Sequence, residues 1–261
     1  MGTKDLIDLA DNPDFISGIY NYCDRWCERC PFTSRCLVYA MENEETDDPA
    51  SSDIRNAEFW HKLGSILQQA REMITAWAEE NRVDLSAASQ ESEIQEHRRE
   101  LGGAEGHELC VAAKNYAASV NEWFAEETLE VQGVDDRVAA DSEESESDEM
   151  ANDATEVIRW YQYQIAAKTV RAVKSRRYEE EEKAEGLPKD SDGSIKVALI
   201  AIDRSISGWR LMQIVRPIRA ESVTPLLLAL ERLRQSTERT FPEARDFVRP
   251  GFDENPDDPV N

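Results

Sequence analysis

Four of the five cysteines in this chain, Cys23, Cys27, Cys30 and Cys36, fall within one short run, YCDRWCERCPFTSRC, spaced C-x3-C-x2-C-x5-C. Thiolate ligands are anionic, and four gathered this tightly need a strongly bound cation to offset their repulsion. Two acceptors suit them, a tetrahedral zinc ion or an iron–sulphur cluster of the 4Fe-4S type. The bland alternative is four free thiols buried as small hydrophobes. All four arrive in one turn-rich segment rather than as two separated C-x2-C pairs, which suits a chain wrapping a cubane better than a zinc knuckle. Tyr20, Tyr22, Trp26 and Phe32 stand close enough in sequence to shield such a site, and Arg25, Arg29 and Arg35 to offset its charge.

Part of the run, CERCPFTSRC, resembles the C-x2-C-x5-C segment of the iron–sulphur staple in RecB-type nucleases, where a remote fourth cysteine completes the site. Here the fourth cysteine lies just upstream, and the carboxylate motif of those nucleases is not evident, so their activity is not carried over. The first three cysteines also share the C-x3-C-x2-C spacing of radical-SAM enzymes, whose motif sits in an α/β barrel. This chain shows no alternation of strands and helices.

The remainder reads as all-α. Apolar residues recur at steps of three and four from about Asp53 to Asn81 (Trp60, Leu63, Leu67, Ile74, Trp77), Gly106 to Glu127 and Asn152 to Arg177. A further helix runs from the capping-like Asp192-Gly193-Ser194 to about Val215, and another from Ser222 to Thr240 with Pro225 in its first turn. Asn12-Pro13 predicts a first helix leading into the cysteine run. The expected architecture is a single-domain helical bundle of five to six helices over residues 53–241. Residues 1–45 form an N-terminal metal-binding appendage and 242–261 an acidic tail. The acidic stretch at about 140–153 reads as a disordered linker.

Charge narrows the partners. Against 30 Lys and Arg stand 54 Asp and Glu, a formal net charge of −24. A field of that sign repels phosphate backbones and anionic lipid, so neither nucleic acid nor membrane is an expected partner, which leaves an unidentified protein. The N-terminus lacks a secretory signal pattern, and no apolar run reaches the roughly 20 residues that span a bilayer. These features predict a cytoplasmic protein with reduced thiols.

Three further constellations hold candidate ligands. Glu58 and His61 form one E-x-x-H pair of the kind di-iron bundles use twice, with Glu122, Glu156 and Asp203 as distant carboxylates. His107 and Cys110 share a helix face. The basic segment Arg159–Arg177 places Lys168 on an apolar stripe with Tyr161 and Ile165, while the very apolar helix after it carries Asp203 and Arg204. A buried lysine needs an anionic partner. The expectation is therefore an ion pair from Lys168 or Arg171 to Asp203, or a small-ligand pocket lined by Lys168, Arg171, Arg204, Tyr161 and Tyr163. No glycine-rich phosphate loop accompanies them. The functional expectation is a non-enzymatic accessory or interaction module with a structural metal staple. The alternative is an iron–sulphur redox protein with its ligand held in the bundle.

Overall fold

A computed structural model describes residues 12–44, 56–85, 103–133, 146–182 and 189–253. These residues are mostly helical and contain no strand. They divide into two compact units, residues 1–99 with 249–261, and residues 100–248.

The second unit packs four long helices: α3 (Glu108–Gly133), α4 (Glu146–Glu182), α5 (Asp190–Val215) and α6 (Ala220–Thr240). Helix α5 is its centre. It buries residues on nearly every face, among them Ile195, Leu199, Ile202, Ile206, Trp209 and Met212, the pattern of a helix surrounded by others. Small residues let α4 come close. A Cβ placed on Gly208 would lie 3.1 Å from Cγ1 of Ile158 and 3.4 Å from the Ala154 carbonyl. Helix α4 answers with Ala151, Ala154, Ile158, Tyr161, Ile165, Ala172 and Val173, all buried. Helix α6 contributes the stripe Val223, Leu226, Leu230, Leu233 and Thr237, whose steps of three and four keep one face inward. Trp209 joins α5 to α3: it stacks edge-on to Trp123 at 4.9 Å and donates its indole N–H to the Tyr116 hydroxyl at 2.9 Å. Burial pushes the Tyr116 hydroxyl well above the usual phenol range.

Helix starts differ from the sequence reading in three places. Helix α5 begins at Asp190, so Asp192, Gly193 and Ser194 lie inside its first turns. Its exposed amides are capped from α4: Glu179 accepts from the Ser191 N–H at 2.9 Å and from the Ser191 hydroxyl at 2.6 Å. Helix α4 begins at Glu146, so the second half of the expected linker is helical. Glu146, Asp148 and Glu149 there face the positive end of the helix dipole, and Arg216 binds Asp148 at 2.8 Å. Residues 140–145 lie outside the described residues. Pro225 sits in the second turn of α6 rather than its first, because a 3-10 turn, Pro217–Arg219, runs directly into that helix.

The first unit holds the cysteine run, α1 (Leu37–Glu44), α2 (Ala57–Asn81) and the returning turn at 249–253. The reading of the sequence assigned α2 to the bundle. It falls instead with the N-terminal residues, and Leu67, Ile74 and Trp77 on its apolar stripe are exposed. Asn56 caps it by accepting the Glu58 N–H at 3.3 Å, and Arg82 ends it in a left-handed conformation, φ 56°. The helix expected after Pro13 does not form. Phe15 N–H closes one turn onto the Asn12 carbonyl at 3.2 Å, but Gly18 turns left-handed at φ 73°. Only the 3-10 turn Ile19–Asn21 follows it. The described part of the expected tail, residues 242–253, is shared between the two units, and residues 254–261 lie outside the described residues. Ala244, in the 3-10 turn Ala244–Asp246, is buried in the second, and Arg249–Asp253 belong to the first.

Candidate metal centre

Between Ile16 and Cys36 the backbone makes no regular helix, only three 3-10 turns: Ile19–Asn21, Cys27–Arg29 and Thr33–Arg35. Its two ends are tied together where Ile16 N–H reaches the Arg35 carbonyl at 3.0 Å. Each cysteine after Cys23 sits at a turn boundary. Cys27 opens the second turn, Cys30 closes it, and Cys36 closes the third and precedes α1. Short 3-10 turns reverse the chain every few residues, and this brings four side chains from a short stretch to one place.

All four cysteines line a single small pocket that is partly open to solvent. Ile19, Tyr20, Trp26, Tyr39 and Phe252 supply most of its apolar wall. The sulphurs feel one another. Burial pushes the Cys27 thiol up, and Glu42 and the other three cysteines push it further. Cys30 is raised for the same first reason, opposed by the Phe32 N–H that donates to its sulphur at 3.5 Å. Among the described residues, however, no three His, Cys, Asp or Glu side chains are placed to hold one metal ion. Thiolates on a single zinc stand roughly 3.8 Å apart, given tetrahedral bonds of about 2.3 Å. Each thiolate of a cubane binds a different iron, so the four stand farther apart around a larger object.

The three candidate arginines play separate parts. Arg25 lines the cavity and reaches Glu42 at 3.6 Å. Its backbone is left-handed, φ 58°, in a region that costs a non-glycine residue about 1–2 kcal/mol. Arg29 stacks over Trp26 at 4.1 Å, and Arg35 donates to the Asp14 carbonyl at 3.4 Å. Of the four aromatics expected to shield the site, Tyr20 and Trp26 line it. Tyr39 and Phe252 complete the wall, and neither was singled out from sequence. Tyr39 follows Cys36 by three residues, nearly one helical turn, which is a usable signal. Phe252 follows it by more than two hundred, which is none.

The other candidate residues are engaged elsewhere. Arg171 clasps Asp190 with Nη2 at 2.6 Å and Nε at 3.3 Å, and Ser175 adds a hydroxyl at 2.7 Å, so this arginine fixes the start of α5. Asp203 faces α6 and the turn after it, pairing with Arg245 at 2.7 Å and Arg234 at 3.5 Å. Arg204 donates to the Tyr161 hydroxyl, Tyr163 bonds Asn121 at 2.9 Å, and Lys168 is half-buried on α4. The expected Arg171–Asp203 pair is thus replaced by two separate sets of contacts. Glu58 and His61 are exposed on α2. His107 accepts the Leu109 N–H at 3.2 Å, the work of a helix cap, and Cys110 is fully buried.

No protein-family model, curated protein or solved structure matches this chain. The functional reading therefore rests on the chemistry of the cysteine cavity. No helix among the described residues is long and apolar enough to cross a membrane.

Proposed function

We propose that the protein binds a 4Fe-4S cluster through Cys23, Cys27, Cys30 and Cys36, and that the cluster acts as a staple for the N-terminal segment of a helical accessory or interaction protein. The observation that supports this reading is four cysteines around one largely apolar pocket. Zinc is the other cofactor that suits four thiolates, and the single turn-rich segment favours the cubane over it. A staple also answers a physical need. Residues 12–36 bury only Ile19 and Trp26, too little apolar surface to hold an irregular segment, and small cores are commonly secured by metal. When bound, the cluster would supply four metal–thiolate bonds and a one-electron couple.

That couple supports a second reading as a redox centre. The cysteines are half-buried, which would leave a cluster near the surface and within reach of an electron-transfer partner. The partner in either reading is a protein, since a chain of net charge −24 disfavours phosphate polymers.

Anaerobic purification tests the assignment. The expected result is a brown protein with broad visible absorption and about four iron and four sulphide per chain, lost when the four cysteines become serine. A colourless protein with about one zinc per chain would overturn it. Redox titration separates the two roles: a staple keeps one oxidation state across the cellular range, and an electron carrier cycles within it.

A further inference from the structure

The cavity has a wall that comes from the other end of the described chain. Phe252 lines it together with the four cysteines, and its ring meets Phe32 edge-on at 5.1 Å and 82°. Phe32 lies between Cys30 and Cys36, and its own N–H is the donor to the Cys30 sulphur. The turn carrying Phe252 is fastened on three sides. Arg249 grips Asp253 through Nε and Nη2, both at 2.9 Å, and its backbone N–H adds a third bond at 3.1 Å. The Arg249 guanidinium also lies over the Phe252 ring at 4.8 Å, which limits how far the ring can turn. Gly251, at φ 74°, lets the backbone press onto the cysteine segment: a Cβ there would stand 2.9 Å from Cδ1 of Ile16 and 3.1 Å from Cδ1 of Ile19.

We propose that the turn Arg249–Asp253 is a working part of the metal site, with Phe252 as the shield that sets how readily water, chelators and thiol reagents reach the four cysteines. The proposal rests on the cluster reading for its metal readout and stands apart from it for its thiol readout. The apolar shell around a metal site governs solvent access. Phe252 is the piece of that shell held from outside the cysteine run, on a turn fixed by an ion pair, a ring contact and a left-handed glycine. It is a positioning and shielding residue and makes no bond to the metal.

The test compares the full chain with Phe252→Ala and Phe252→Leu under anaerobic conditions. In the iron-loaded proteins, release of iron to an added chelator should be about tenfold faster in Phe252→Ala, the scale on which shell residues alter metal retention. Phe252→Leu, which restores apolar bulk, should return most of the protection, with thermal unfolding of the helices unchanged in both. In the metal-free proteins, modification of the four thiols by an aromatic disulphide reagent should accelerate in the same order. Equal iron release from wild type and Phe252→Ala, or equal thiol modification, overturns the shield. A wild-type chain that takes up no iron overturns the cluster reading, and the thiol rates then still decide the role of Phe252.

Discussion

Arg25 concentrates two opposed demands at one position. The residue lines the cysteine pocket with its guanidinium paired to Glu42, and its backbone occupies a left-handed conformation that L-residues avoid. Strain held at a site of this kind points toward function. Arg25→Gly should be nearly neutral in apo-protein stability, because relief of strain offsets the added freedom of the unfolded chain. Arg25→Ala keeps the strain and should be less stable than Arg25→Gly by about 1 kcal/mol in chemical denaturation. Both remove the same positive charge, so in protein loaded with the proposed cluster both should shift its potential to more negative values by similar amounts. A potential unchanged in both would show that the cavity does not sense this cation. Asp203 makes the opposite case. Its carboxylate contacts two arginines but is more than a third exposed, so Asp203→Asn should cost no more than about 1 kcal/mol in denaturant unfolding. A loss of several kcal/mol would mean that the pair is buried in solution. The identity of Asp203 as an ion-pair residue was readable from the apolar helix around it. Its partners were not, because they depend on how α5 is rotated against α6.

At the level of elements, the long helices were readable because their apolar residues keep a steady period over several turns. Helix α6 is the clearest instance, with five buried residues on one stripe. The errors came where local signals competed. Asn12-Pro13 is a sound helix start, but Gly18 diverts the backbone within two turns. The acidic residues that open α4 look like linker by composition, yet acidic side chains are what a helix N-terminus favours. The α4–α5 contact depends on the absence of side-chain bulk at Gly208. Gly208→Val should destabilise the second unit by roughly 2–3 kcal/mol through overpacking against Ile158 and the Ala154 carbonyl. Thermal unfolding followed by far-ultraviolet circular dichroism measures it, and an unshifted transition would mean that the two helices can separate without cost.

For the whole molecule, the excess of 54 acidic over 30 basic residues sets a condition on stability. Like charges repel more in the compact state than in the extended chain, and salt screens that repulsion over a Debye length of about 10 Å at 0.1 M and 3 Å at 1 M. Raising sodium chloride through that range should raise the midpoint of thermal unfolding. A midpoint that stays level or falls would place the acidic residues mainly in regions where their repulsion is the same folded and unfolded. The grouping of the four cysteines was legible in the sequence, whereas the full boundary of the pocket they line was not. Ligand spacing is local and survives in a string of letters. Enclosure by Phe252 is a product of the completed fold.

The return of the chain at Arg249–Asp253 also has a consequence in time. The cysteines leave the ribosome early, and Phe252 follows Cys36 by more than two hundred residues. At about 5–20 residues per second, that distance takes on the order of ten to forty seconds to synthesise. Throughout that interval the four thiols lack their last wall, so under the proposed cluster reading any metal source would meet the pocket at its most open while the chain is still growing. Loading of the nascent chain and loading of the finished protein are then different reactions with different rates, and release from the ribosome marks the passage from one to the other.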